Sequence, residues 1–114
     1  MRRVQLIAVG LVLATLAFAA PLLPAASVRV TTWNLEWFPN GSPKEIPTAE
    51  QTKRITAVAD ILRPLNSDII LLQEVQDYAV CARLAEAIRP HIYQVAICSA
   101  SEARGGGGAL LARH

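Results

Sequence analysis

Two polar residues directly follow apolar stretches of the chain, and their side chains have the chemistry of a metal site. Asn34 comes after Trp33, and Glu74 follows the stretch Asp68–Gln73. A glutamate carboxylate is a hard oxygen ligand of the kind that Mg²⁺ or Mn²⁺ takes together with water. The asparagine amide can accept a hydrogen bond from a metal-bound water and donate one to a phosphate oxygen. The spacing alone leaves a second interpretation open, in which Glu74 is a solvated carboxylate at a strand end.

An alternation of strands and helices would bring these two residues together. The period-2 pattern of Val28–Trp33 predicts a strand, and the continuous apolar run within Asp68–Gln73 predicts a strand covered on both faces. A capping box of Thr48 and Gln51 begins a helix between the two strands, and Pro64 ends it.

The rest of the chain continues this order. Asp77 is expected to cap a second helix, and Ile92–Cys98 is a predicted third strand. Gly105–Gly108 is predicted to be a flexible linker, after which Ala109–Ala112 begins a fourth strand. The alternation favours a layered α/β fold with at least one parallel strand pair. Sites in such folds form beyond the carboxyl ends of the parallel strands, where both polar residues stand.

The first 27 residues have the pattern of a secretory signal peptide, which gives a mature domain of residues 28–114. Arg2 and Arg3 precede an uncharged apolar run, Leu6–Ala20, and small residues and prolines follow it. The run has 15 residues, whereas a membrane span needs roughly 20. A retained anchor is the alternative. We expect a secreted or periplasmic protein with no stable membrane span after cleavage.

The charge of the mature domain gives no electrostatic case for tight nucleic-acid binding. Removing Arg2 and Arg3 from the 11 basic residues leaves nine, against 9 acidic ones. The signal segment also inflates the hydrophobic fraction of 53%, which therefore does not indicate a membrane protein. A nuclease that relies on a basic surface is disfavoured on these grounds.

Cys81 and Cys98 are the two cysteines of the chain. An even pair in an exported protein favours a disulfide between them. Two free, buried thiols are the alternative. The spacing of the pair is not typical of a metal site, because no second close-set cysteine or histidine pair accompanies either residue.

The segments around the two polar residues resemble the endonuclease/exonuclease/phosphatase superfamily. Val30–Phe38 resembles its opening strand, Asp68–Val75 resembles its second signature, and the distance between them, with one helix, also fits. The resemblance implies part of a four-layer α/β sandwich that hydrolyses phosphodiesters or phosphomonoesters of DNA, RNA, phosphoinositides or sphingolipids. It further implies that Asn34 contacts the phosphate or a metal-bound water, and that Glu74 ligates the catalytic Mg²⁺.

We therefore predict Asn34 and Glu74 as catalytic and metal-binding residues, with Mg²⁺ or Mn²⁺ as cofactor. The expected partner is a phosphate-ester substrate, such as a nucleic acid or a phospholipid headgroup. The resemblance also implies a water-activating His-Asp pair, which the superfamily places in its second half. No aspartate follows Asp77, and His91 and His114 stand outside such segments, so we expect an incomplete, truncated N-terminal part of the domain. The alternative is a non-catalytic, exported, disulfide-braced binding module or an inactive fragment.

Three aromatic residues at the end of the first strand allow two interpretations. Trp33, Trp37 and Phe38 could stack on a substrate base, or they could pack the strand end against its helix. Packing is the favoured interpretation. Glu36 is expected to be a solvated or structural carboxylate, and His91 an ordinary surface residue at a helix-to-strand turn.

Overall fold

The computed structural model describes residues 24–99 and 107–114, which form one four-stranded sheet and two helices. The strands are β1 (Val30–Phe38), β2 (Ile69–Val75), β3 (Tyr93–Cys98) and β4 (Gly107–Arg113), and the helices are α1 (Thr48–Leu62) and α2 (Tyr78–Ala87). The order across the sheet is β1-β2-β4-β3, with β1 parallel to β2 and the other two pairs antiparallel. The predicted α/β class is confirmed.

The parallel pair β1–β2 is built around the crossover that α1 makes between the two strands. Val30 pairs with Ile69, and the register runs without interruption to the pair of Asn34 and Gln73. β-Branched residues suit this pleated surface, and a parallel pair requires a crossover connection of a dozen or more residues. The carboxyl ends of β1 and β2 therefore meet at the same edge of the sheet.

One face of the sheet carries the core, because alternate strand residues point toward the helices. In β2, Ile70 and Leu72 are buried, whereas Ile69 and Leu71 keep more exposure. The helices contribute side chains at helical spacing: Ile55, Ala59 and Leu62 from α1, with Val80, Cys81 and Leu84 from α2 and Ile88 just after it. Full burial of one such aliphatic side chain stabilises the fold by about 1.5–3 kcal/mol. The described residues therefore form two layers.

Asp68 ties the strand ends at the edge of the sheet opposite Asn34. Its carboxylate accepts from the Arg29 backbone N–H at 2.8 Å and forms an ion pair with Arg113. The Arg29 N–H is the main cause that lowers the pKa of Asp68, and the charge of Arg113 acts in the same direction. The starts of β1 and β2 and the end of β4 are thus joined by one carboxylate.

The two helices begin differently. Asp77 caps α2 as predicted, because its Oδ1 accepts from the Val80 N–H at 2.9 Å. The capping box predicted for α1 is wrong: Pro47 is the N-cap, and no side-chain cap hydrogen bond forms there within the described residues. Gln51 is buried, and its side-chain amide donates to the Asn40 Oδ1 and to the carbonyl oxygen of Ile46, the residue before the N-cap, instead of accepting from a backbone N–H at the helix start. The predicted end of α1 is confirmed, since a 3-10 turn over Arg63–Leu65 follows it.

The glycine-rich segment is partly a strand rather than the predicted flexible linker. Gly107 and Gly108 belong to β4, and the Ser99 N–H donates to the Gly108 carbonyl oxygen at 2.9 Å. Pairing with β2 on one side and β3 on the other outweighs the low strand preference of glycine. Residues 105 and 106 lie outside the described part of the chain.

The predicted disulfide is absent, and both cysteines are free thiols. Cys81 is fully buried on the core side of α2, and Cys98 is partly buried at the end of β3. Burial, with the Cys98 thiol as neighbour and hydrogen-bond partner, raises the pKa of Cys81 to about 12. The apolar surroundings therefore keep Cys81 as a protonated core residue.

Most of the predicted signal peptide, residues 1–23, lies outside the described part of the chain, so the signal stays a prediction. Residues 24–29 have no regular secondary structure and are exposed. Among the residues that the structure describes, no helix has the length and apolar composition needed to cross a membrane.

Asp77→Ala should lower the free energy of unfolding by about 1 kcal/mol, because it removes the side-chain acceptor at the start of α2. Thr48→Ala is the matched control, since the Thr48 side chain caps nothing in the described structure. Urea unfolding followed by circular dichroism measures both variants. An equal loss in the two variants would contradict the assignment of Asp77 as the cap.

Iodoacetamide should modify Cys98 in the native chain at pH 8 and reach Cys81 only after unfolding. The reason is the burial of Cys81, which excludes the reagent and disfavours the reactive thiolate. Mass spectrometry of native and urea-treated samples, without reductant, gives the number of modified cysteines in each state. A mass two hydrogens below that of the reduced chain, with no modification, would instead show that the disulfide exists in solution.

Candidate functional site

The structure brings Asn34 and Glu74 into direct contact. The Asn34 Nδ2 donates to the Glu74 Oε1 at 2.8 Å, and the contact joins residues that are 40 positions apart. Both residues lie within their strands rather than just after them, since β1 continues to Phe38 and β2 to Val75. The sheet edge predicted from the strand order therefore holds the two predicted side chains together.

An irregularity in the backbone places Glu74 at this edge. The β1–β2 pairing breaks after Asn34 and resumes at the pair of Phe38 and Val75, so that Glu74 faces a three-residue stretch of β1. The β2–β4 pairing is interrupted at the same point, and Glu74 has a φ of 58°, in the left-handed region. Non-glycine residues rarely adopt this conformation, and bulges next to functional sites often re-aim a side chain. Glu74 is held in a strained backbone position at the meeting point of two ladders.

A second hydrogen bond fixes which side of the Asn34 amide faces Glu74. The Asn34 Oδ1 accepts from the Glu36 backbone N–H at 2.9 Å, a local turn typical of asparagine. The amide nitrogen is thereby directed at the Glu74 Oε1. Within the described residues no hydrogen bond to the other carboxylate oxygen is formed, so that oxygen is available to a cation.

A cavity of about 250 Å³ opens beside Glu74, and we call it the Trp37 cavity. The segment between β1 and α1 supplies half of its lining residues. The described residues that line it are Trp37, Phe38, Asn40, Ser42, Pro43, Glu45, Glu74 and Gln76. Polar and apolar groups therefore meet next to the candidate metal ligand.

A chain of side-chain amides holds this wall in place. The Asn40 Nδ2 donates to the Gln76 Oε1 at 2.9 Å, and the buried Gln51 donates to the Asn40 Oδ1 at 3.1 Å. Arg83 of α2 completes the chain by donating to the Gln51 Oε1 at 3.1 Å. Asn40 and Gln76 were not predicted from the sequence, because isolated amides carry no motif. The apolar spacing of α1, which places position 51 on its core face, was the only available signal.

The three aromatic residues of β1 have separate positions. Phe38 is 4% exposed and belongs to the core, and Trp33 packs partly buried against the same core. The favoured packing interpretation is confirmed for these two. Trp37 is half-buried, is not part of the core, and lines the cavity.

The donor chemistry of the site fits a hydrated Mg²⁺ or Mn²⁺. In residues 24–99 and 107–114 no group of three or more histidine, cysteine, aspartate or glutamate side chains could enclose a metal ion. Mg²⁺ rarely needs such a cage, since one or two carboxylates, water and a substrate phosphate normally hold it. Glu74, with one oxygen free of described hydrogen bonds, supplies that kind of ligand.

Both histidines lie at the other edge of the sheet. β4 runs antiparallel to β2, from Gly107 beside Val75 to Ala112 beside Ile69. His114 follows β4, and its N–H donates to the carbonyl oxygen of Ile92, the residue after His91. Neither histidine is therefore placed to act on a group bound at Glu74.

Comparison with known proteins gives one family. The model of the Endonuclease/Exonuclease/phosphatase family matches residues 31–114, a range that contains every strand contact around Asn34 and Glu74. No curated protein and no solved structure gives a significant match.

Glu74→Gly should give a higher free energy of unfolding than Glu74→Ala, by about 1 kcal/mol, because glycine adopts the left-handed conformation without strain. Both variants remove the carboxylate and its bond from Asn34, so the difference isolates the backbone. Urea unfolding of the pair measures it. A regular strand position would give the opposite order, and that result would show that the bulge does not exist in solution.

Proposed function

The chain belongs to the endonuclease/exonuclease/phosphatase family, and on this premise we propose that it serves the metal-dependent hydrolysis of phosphate esters. The observation that carries the proposal is the hydrogen bond between Asn34 and Glu74 at the shared irregularity of β1, β2 and β4. Enzymes of this family generally depend on a divalent metal and act on phosphoesters. Glu74 and Asn34 are the residues to which we assign that chemistry here.

Glu74 is the proposed ligand of Mg²⁺ or Mn²⁺, through the carboxylate oxygen that Asn34 does not contact. A divalent ion bound there would neutralise phosphate charge and stabilise the leaving oxygen. Asn34 orients the Glu74 carboxylate through its hydrogen bond, as residues that hydrogen-bond to metal ligands commonly do. Its amide also has a second N–H, which is able to donate to a phosphate oxygen or to a water.

Proton transfer is not assigned to any described residue. A general base must lie within hydrogen-bond reach of the water that it activates, directly or through one further water. The histidines lie at the far edge of the sheet, so the described residues are proposed to bind metal and phosphate only. The two layers formed by the sheet and its helices are proposed to be half of a four-layer sandwich.

The place of action is proposed from the sequence alone. Cleavage of residues 1–27 would release the domain of residues 28–114 as a secreted or periplasmic protein. The disulfide no longer supports the alternative of a non-catalytic binding module, since both cysteines are free thiols.

Glu74→Gln should weaken Mn²⁺ binding by at least about tenfold, and Asn34→Ala should weaken it by about 10- to 100-fold, the range known for partners of metal ligands. Electron paramagnetic resonance of free Mn²⁺ measures binding in each case. Glu86→Gln is the matched control, because Glu86 pairs with Arg89 on the surface of α2. Unchanged Mn²⁺ affinity in Glu74→Gln would refute the assigned site.

Hydrolysis of bis(p-nitrophenyl) phosphate, with Mg²⁺ or Mn²⁺ and with chelator, tests the activity itself. Turnover that needs the metal and disappears in Glu74→Gln would support the whole proposal. Mn²⁺ binding at Glu74 without turnover would restrict the chain to metal and phosphate binding. Turnover that survives the chelator would contradict the metal dependence.

A further inference from the structure

The Trp37 cavity has the wrong charge for a second phosphate. None of its described lining residues is a lysine, an arginine or a histidine, and two of them, Glu45 and Glu74, are carboxylates. The Arg54 guanidinium packs against Gly41 and lines a different cavity. An additional anionic group placed here would meet the uncompensated carboxylate of Glu45, and also that of Glu74 when no divalent ion is bound there.

Most other polar groups of the cavity are occupied by neighbours. Asn40 accepts from Gln51 and donates to Gln76. The Ser42 hydroxyl accepts from the Lys44 N–H at 3.2 Å and donates to the Lys44 carbonyl oxygen at 3.4 Å. The Glu45 carboxylate takes part in no hydrogen bond or ion pair within the described residues. The free polar capacity of the cavity is therefore mainly that of negatively charged acceptors.

An aromatic ring is fixed beside these acceptors. Trp37 has a φ of 60°, and its carbonyl oxygen accepts from the N–H groups of Asn40 and Gly41, both at 2.8 Å. A bulky residue in the left-handed region is strained and persists only where its surroundings hold it. These bonds hold the Trp37 backbone at the cavity wall, and Trp37 lines the cavity without being part of the core, whereas Trp33 packs against the core.

We propose that the Trp37 cavity binds an ammonium group on the organic part of the phosphate ester. An indole face attracts a cation, and a quaternary ammonium fits an aromatic wall with an acidic neighbour better than a neutral or anionic group does. Glu45 is the proposed charge partner and Trp37 the proposed wall. This inference rests on the proposed function for its phosphate ester, and it makes a polyanionic nucleic acid a poor fit to the cavity.

Three small probes of similar shape and different charge test the proposal on the full chain without added metal: tetramethylammonium, tert-butanol and pivalate. The ¹H–¹⁵N signals of the indoles report binding at Trp33 and Trp37, and a Trp33→Phe variant assigns them. Tetramethylammonium should shift the Trp37 signal and bind about five- to tenfold more tightly than tert-butanol. Pivalate should not shift it.

Two variants and one control locate the effect. Glu45→Gln should remove most of the preference for tetramethylammonium over tert-butanol, whereas Glu86→Gln should leave it unchanged. Trp37→Leu, checked for folding by circular dichroism, should abolish saturation transfer from the protein to the N-methyl protons. Equal binding of the cation and the alcohol, tighter binding of pivalate, or a shift confined to Trp33 would each overturn the proposal.

These measurements do not depend on Mn²⁺ or on turnover. Loss of the cation preference with Mn²⁺ binding at Glu74 intact would overturn the ammonium site alone. Loss of Mn²⁺ binding with the cation preference intact would overturn the proposed metal site alone.

Discussion

The parallel pairing of β1 with β2 is the constraint on which the position of every candidate functional group depends. Its register places Asn34 beside Gln73 and so puts the amide within reach of Glu74. A slip of one residue would turn each of these side chains to the other face of the sheet. The buried residues Ile70 and Leu72 resist such a slip, because it would bring both of them out of the core. Packing on one face thereby fixes the polar contact at the edge.

The β1–β2 pairing is interrupted after Asn34, and the site depends on this interruption. A regular ladder through Glu74 would keep its backbone in the β region, whereas the observed φ of 58° turns the residue out of the regular pattern. Hydrogen bonds on both sides of the irregularity keep this conformation in place: Gln76 donates to the Phe38 carbonyl oxygen at 2.9 Å, and Ser99 donates to that of Gly108. Val75, the last residue of β2, lies just after the irregularity and is buried in the core, which stabilises this end of the strand. The strain at Glu74 is therefore compensated by its neighbours.

The sequence predicts the elements of this fold better than it predicts their ends. Apolar periodicity locates α1 and β2, because burial against one face requires that pattern, and Asp77 marks the start of α2. The capping box was predicted wrongly because a glutamine three residues after a threonine matches the capping pattern, whereas Gln51 donates to Asn40 and Ile46. The strand at Gly107 depends on partners distant in sequence, and local propensity contains no information about them.

The candidate site also has one part that the sequence predicts and one part that it does not. Asn34 and Glu74 were predictable because each stands at the carboxyl end of a predicted strand and within a segment that resembles the family. The Trp37 cavity, by contrast, requires the tertiary contacts of Asn40, Gln51 and Gln76. These amides form hydrogen bonds among themselves, which leaves carboxylate oxygens as the free side-chain acceptors of the cavity. Gln51 is the buried member of this chain, and leaving its amide unpaired would cost about 1–3 kcal/mol. The amide chain that holds the wall therefore also sets its acidic, acceptor-rich character.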